Sequence, residues 1–251
     1  MNFDISQLLE QWDYQPGQVV VRKFKGKDGT QKIQLRVDLG ILQMNAEGRP
    51  DGKRPYGHES LLEHFISQLE KYRNGHEGSD GGFTLKPEDC AKLQQEAIQY
   101  HHRYICLFQL EDYEGVIRDT SRNLEVFDFA QTYAGSEDLA WSLQQFRAQL
   151  LMMRTRARGA VTLQEYGYDA LIGEIENGMD EIKSFFKDTG RAEMIEQSPE
   201  IQSLDVWLSD VKEKRPLTER EKLLSALDEA VKKEDYEKAA QVRDALKNLK
   251  T

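Results

Sequence analysis

The chain has 251 residues, 44 acidic against 34 basic, and a formal net charge of −10, which argues against nucleic-acid binding as a property of the whole molecule because phosphate affinity rests on Lys and Arg. That length accommodates one large or two modest domains with a buried core. Cys90 and Cys106 lack Cys-x-x-Cys spacing, no apolar run nears the roughly 20 residues that span a bilayer, and Met1-Asn2-Phe3-Asp4 lacks the basic and apolar regions of a signal peptide, so a cytoplasmic, non-membrane protein is expected.

Residues 1–80 read as a small α+β region. A short helix is expected over 5–11. Val19 to Phe24 and Lys32 to Val37 are β-rich runs around Asp28-Gly29, which predicts a β-hairpin with Ile33, Leu35 and Val37 on one face and Lys32, Gln34 and Arg36 on the other. Gly40 is expected to bulge or end that strand before Ile41 to Met44 continues it. The run Glu47-Gly48-Arg49-Pro50-Asp51-Gly52-Lys53-Arg54-Pro55 predicts an exposed loop. Basic residues outnumber acidic ones between Arg22 and Arg54, which makes Arg22, Arg36, Arg49, Lys53 and Arg54 candidates for an anion- or nucleic-acid-binding face. The same surplus fits an internal face for acidic helices or a solvated sheet, and Phe24 and Tyr56 alone form no stacking platform. The Asp-Gly hairpin, Leu42-Gln43-Met44 and Gly48-Arg49-Pro50-Asp51-Gly52 together resemble stretches of bacterial proteins that end in a UVR motif, a resemblance that implies no activity.

From 87 to 188 the period changes to that of amphipathic helices. The first stripe is Cys90, Leu93, Ala97, Tyr100, Tyr104 and Leu107; the second is Tyr113, Val116, Thr120, Leu124 and Phe127. Leu139, Leu143, Phe146, Leu150, Met153 and Ala157 make the third, and Tyr168, Ile172, Ile175, Met179, Ile182 and Phe186 the fourth. Short connections at Glu111-Asp112, Gly135-Ser136 and Gly159-Ala160 predict two stacked antiparallel helical hairpins. Glycines 167, 173 and 178 fall inside the helical pattern, where they would permit close packing. The stretch 100–127 resembles a tetratricopeptide repeat at Leu107 and Asp112-Tyr113-Glu114-Gly115-Val116-Ile117. It departs from that repeat at Arg103, Tyr104 and Val116 and in helix length, so only the helix-hairpin architecture carries over.

A connecting helix is expected over 199–215, with Pro199 first and Ile201, Leu204, Leu208 and Val211 inward. Residues 217–251 then read as a helical hairpin. Thr218 and Glu221 form a capping box, Asp235 caps the second helix, and Asp228/Lys232 and Glu229/Lys233 pair at i,i+4. Its apolar residues are Leu223, Leu227, Ala230 and Val231 with Leu224, then Tyr236, Ala239, Ala240, Val242, Leu246 and Leu249. A unit this small falls below the roughly 40 residues at which unaided folding becomes unlikely, so it needs a partner surface.

Leu227, Ala230, the run Asp235-Tyr236-Glu237-Lys238-Ala239-Ala240, Arg243-Asp244, Leu246 and Leu249 resemble the UVR motif. That motif is the C-terminal hairpin of the excision-repair subunits UvrB and UvrC, found also in Clp-type chaperone ATPases and protein-arginine-kinase activators. The resemblance implies a docking element that pairs with another hairpin or a partner protein and does no chemistry itself.

Catalytic constellations fail on spacing. His58-Glu59 and Glu63-His64 form neither His-Glu-x-x-His nor its inverse, and on a helix His58 and His64 would face different ways. His102 and Cys106 share a helical face, but two ligands make a poor zinc site. The expectation is therefore a mainly α, non-enzymatic adaptor without cofactor or metal. It would grip a protein partner, or its own copy, through Leu223, Leu227, Tyr236, Ala240, Arg243, Asp244, Leu246 and Leu249. The competing reading is a nucleic-acid-binding accessory factor in DNA repair that uses the basic N-terminal residues.

Overall fold

A computed structural model describes residues 4–249 of the chain. A helix α1 (Ser6–Glu10) precedes the sheet. The Asp28-Gly29 turn forms as its sequence requires, with Gly29 at φ +80° and the Gly26 N–H donating to the Thr30 carbonyl at 2.8 Å. It joins β1 (Val20–Lys25) to β2 (Gln31–Val37), antiparallel, with Val21 opposite Leu35 and Lys23 opposite Ile33. Gly40 neither bulges nor lets β2 continue. The chain reverses at Asp38-Leu39, and β3 (Gly40–Asn45) becomes a third antiparallel strand in the order β1-β2-β3. Arg36 gathers that reversal: its Nη1 donates to the carbonyl of Val37 and to those of Asp38 and Gly40 at 3.0 and 3.2 Å.

Ile33 and Met44 on one face of the sheet are buried. On the other, Arg22, Gln34 and Gln43 stand in register and are linked by hydrogen bonds of 2.7 and 2.8 Å. The polar face is thus internally satisfied, and Gln34 and Arg36 are themselves buried. The loop expected to be exposed is so only in part, since Pro50 is buried and Arg49 half-buried.

Helices follow: α2 (Leu61–Gly75), α3 (Pro87–Gln109), α4 (Tyr113–Tyr133), α5 (Glu137–Gln144), α6 (Arg147–Tyr166), α7 (Tyr168–Asp188) and α8 (Met194–Gln197). Helix α4 packs against both α3 and α6, and α6 packs against α7, so two helical hairpins stand side by side along α4 and α6. The expected stripes supply the core, including Leu93, Tyr104 and Leu107 of α3, Val116, Leu124 and Phe127 of α4, Leu150 and Ala157 of α6, and Ile175 and Ile182 of α7.

Two connections differ from expectation. Gly159-Ala160 lies inside α6, and the chain turns instead at Gly167, whose φ of +83° is open to glycine. The third stripe is not one helix but breaks between α5 and α6, which leaves Phe146 46% exposed at the break. Of the three glycines expected to permit close packing, Gly178 does so: a Cβ there would overlap the Thr155 side chain of α6. Nothing lies within 4 Å of a Cβ at Gly173.

The chain divides into two compact units, Met1–Val206 and Trp207–Thr251. The sheet and α2 to α8 belong to the first. Helix α9 (Pro199–Lys214) contains the division; Leu204, Leu208 and Val211 along it are buried. The second unit continues with α10 (Glu219–Lys232) and α11 (Tyr236–Asn248), which pack against each other as a hairpin.

Candidate docking surface

The hairpin is fixed by polar side chains at the start of each helix and by a backbone bond at the turn between them. Thr218 Oγ1 accepts the Glu221 N–H at 3.2 Å while Glu221 Oε2 accepts the Thr218 N–H at 2.7 Å, completing the capping box. Those bonds, the Thr218 backbone N–H first and the Arg215 guanidinium next, hold the Glu221 carboxyl down to about 2. At the turn, Glu234 takes φ +57° and the Asp235 N–H donates back to the Ala230 carbonyl at 2.9 Å. Asp235 Oδ1 then accepts the Lys238 N–H at 3.1 Å and starts α11. The expected i,i+4 pairs are present, with Lys232 2.6 Å from Asp228 and Lys233 3.6 Å from Glu229.

Burial sorts the apolar residues into two groups. Ala230 is buried, and Leu223, Leu227, Ala239, Ala240, Val242 and Leu246 are half-buried, the pattern of residues at or near the α10–α11 seam. Tyr236 is 71% exposed, Val231 53% and Leu224 47%, and Leu217 and Leu249 are exposed too. Leu224 and Val231 stand two turns apart along α10, and Leu217 lies just before its Thr218 cap. Of the eight candidate contact residues, Tyr236, Arg243, Asp244 and Leu249 therefore lie on the surface, whereas Leu223, Leu227, Ala240 and Leu246 are partly withdrawn. Arg243 pairs with Asp244 at 3.0 Å along its own helix. Leu217 is absent from the sequence-based candidates; the signal for it was its place directly before the Thr218 cap.

Residues 218–251 match the family model of the UvrB/uvrC motif. The UVR motif is known as an interaction motif associated with DNA repair, and the match covers the last 34 of the 251 residues. No match was found among curated proteins or among solved structures.

The basic candidates of the N-terminal region are tied to different partners, Arg22 and Arg36 both meeting Trp12 and Arg49 and Arg54 each meeting a carboxylate. Arg22 hydrogen-bonds Gln34 and stacks over Trp12 with its Cζ 4.2 Å from the ring centroid. Arg36 is buried and also donates to the Trp12 carbonyl at 2.8 Å. Arg49 lies 2.9 Å from the buried Glu96, and Arg54 pairs with Glu59. Lys53 is exposed. The structure thus directs three of these five side chains into the protein.

His58 and His64 are brought together, contrary to the helical reading. Helix α2 begins only at Leu61, so His58 precedes it and its ring lies 5.3 Å from that of His64. Burial raises the Cys106 thiol to about 12. Among the described residues, no group of three or more His, Cys, Asp or Glu could hold a metal ion, and no helix is long and apolar enough to cross a membrane.

Proposed function

We propose that the protein is a cytoplasmic adaptor, without chemistry of its own, that docks a partner protein through its UVR segment. The observation that carries this reading is the exposed apolar surface at Leu224, Val231 and Tyr236 on a motif associated with interactions. Leu249 is exposed as well, Leu223, Leu227, Ala240 and Leu246 are half-buried, and Arg243 and Asp244 set register through charge. Fully burying one such Leu or Val contributes about 1.5–3 kcal/mol, so a few of them support docking of micromolar order after association entropy is offset.

The test is affinity purification with the intact chain, with Leu224→Asp/Val231→Asp, and with a chain ending at Arg215. The partner is expected to be lost from the last two baits and retained by Lys53→Ala/Arg54→Ala. Recovery of the same companions by all four baits would remove the docking reading. Salt-sensitive oligonucleotide binding lost in Lys53→Ala/Arg54→Ala would replace it with the nucleic-acid one.

A further inference from the structure

Four arginines converge where the loop after β3 meets α3 and α4. Arg103 commits all its nitrogens: Nε and Nη2 reach Asp119 at 2.6 and 2.8 Å, and Nη1 donates to the carbonyls of Asn45 and Gly48 at 3.0 and 2.7 Å. Arg118 is as fully engaged, with Asp119 at 3.0 Å, Glu47 at 2.6 Å and the Ala46 carbonyl at 3.1 Å. These two residues pin the loop.

Arg49 and Arg122 are arranged differently. Arg122 donates Nη1 to Asn123 at 3.1 Å and Nη2 to Glu96, yet its Nε is buried without a hydrogen-bond partner. Arg49 Nε is within ion-pair range of Glu96 at 2.9 Å and Asp51 at 3.4 Å but is not aligned for a hydrogen bond to either. Glu96 is already engaged by the Leu61 N–H, 3.1 and 3.0 Å from its two oxygens. One buried carboxylate therefore serves an amide and two guanidinium groups.

The charge inventory points the same way. Glu96 and Asp119 are the fully buried carboxylates, set against the guanidinium groups of Arg49, Arg103 and Arg122, whose side chains are 12%, 1% and 14% exposed; Arg118 is 40% exposed and answers the exposed Glu47, and Asp51, a quarter exposed, lies beside Arg49. At the rim, Glu59 is paired with Arg54, and Glu63 accepts the Glu59 N–H at 3.0 Å. Burial first, and the Arg49 guanidinium second, push Arg122 down to about 9, as expected of a cation short of negative charge. A cleft of about 190 Å³ opens beside these groups, lined by the four arginines, by Ser60 and Tyr100, and by the carboxylates of Glu59, Glu63 and Asp119, each of which already has a partner described above. Tyr100 lies under the Arg122 guanidinium, with 4.1 Å between Cζ and the ring centroid, and so fixes its plane.

We propose that this cleft binds a small oxyanion of the phosphate class, with Arg49 and Arg122 as the charged donors and the Ser60 hydroxyl as a neutral one. Planar guanidinium forks suit the paired oxygens of a phosphoryl group, and one more buried guanidinium than buried carboxylates favours an anionic guest. The site lies within Met1–Val206 and does not depend on the docking reading.

Inorganic phosphate is titrated into the full-length protein by calorimetry in a phosphate- and sulfate-free buffer, with O-phosphoserine as a second ligand. Saturable one-to-one binding is expected, weakened tenfold or more by Arg49→Gln and less by Arg49→Lys. Tighter binding of phosphoserine would identify a phosphorylated side chain as the source of the group, and tighter binding of phosphate the free ion. Should Arg49→Gln fail to fold, mass-spectrometric mapping of phenylglyoxal modification on the unaltered protein decides instead, with phosphate expected to protect Arg49 and Arg122. No saturable heat with either ligand up to about 10 mM, affinity unchanged in a folded Arg49→Gln, or absence of protection would overturn the proposal.

Discussion

Glu111 and Glu234 hold the same position in two separate helical turns, with φ of +58° and +57°. Each is followed by an aspartate whose N–H returns to a carbonyl five residues back at 2.9 Å, Asp112 to Leu107 and Asp235 to Ala230. Each aspartate then caps the next helix, through Gly115 N–H at 3.2 Å and Lys238 N–H at 3.1 Å. Glu111-Asp112-Tyr113-Glu114 recurs as Glu234-Asp235-Tyr236-Glu237, a turn signature read twice by the same backbone geometry. A Cβ in the left-handed region costs about 1–2 kcal/mol, whereas glycine's extra freedom in the unfolded chain costs up to about 1 kcal/mol. Glu234→Gly should accordingly stabilise the hairpin by up to about 1 kcal/mol, and Glu234→Val should destabilise it. Urea unfolding followed by circular dichroism measures both.

Glu221 ties the start of α10 to pH. Its folded value of about 2 lies below the ordinary glutamate value, so its contribution is complete above about pH 4.5 and is lost as pH falls toward 2. Helicity of the second unit should fall across that window. Thr218→Ala removes the hydroxyl that accepts the Glu221 N–H, which costs about 1 kcal/mol at neutral pH, but keeps the backbone N–H that holds the carboxylate. Glu221→Gln, in contrast, removes the titrating group and should flatten the acid transition. A Glu221→Gln protein with an unchanged acid profile would disconnect the box from the pH response.

Gly173 and Gly178 should respond to alanine with opposite signs. At Gly173 the helix gains up to about 1 kcal/mol because nothing crowds the new methyl. At Gly178 the same gain is outweighed by overlap with Thr155, where overpacking costs about 1–3 kcal/mol. Thr155→Ala should restore part of what Gly178→Ala loses, and a double-mutant cycle on melting temperature reads the coupling.

The stripes of α3, α4 and α7 were legible because apolar residues at three- and four-residue spacing have only one way to leave water. The caps at Thr218 and Asp235 were legible because short acceptors there answer specific N–H groups. Gly159 misled because a helix interior tolerates glycine, while Gly167 carries the φ that ends the helix. The third strand was hidden because a polar side chain, Arg36, closes its turn from the far side. Leu224 and Leu227 are alike on the hairpin sequence, and only the packing of α11 sends one outward and leaves the other half-buried. Arg103 and Asp119 could have been found: each falls on a buried stripe, between Tyr100 and Leu107 and between Val116 and Asn123. Their pairing could not, since it depends on how α3 meets α4.

That pairing yields the largest predicted effect. Arg103 is 1% exposed, and Asp119→Ala would leave its guanidinium buried beside two carbonyls with no carboxylate, at a cost of about 3–5 kcal/mol. Asp119→Asn keeps shape and one acceptor and should cost less. Replacing both partners, as Arg103→Met/Asp119→Leu, removes the orphaned charge and should recover part of the loss. Recovery stays incomplete because the Asn45 and Gly48 carbonyls lose the donor that Arg103 supplied. Denaturant unfolding of the three variants gives the ranking, and hydrogen exchange should show the amides of the Glu47 to Gly52 loop losing protection in Asp119→Ala before those of α6 and α7. Equal stability of Asp119→Ala and the unaltered protein would mean that the pair fixes the loop's position without contributing to the fold.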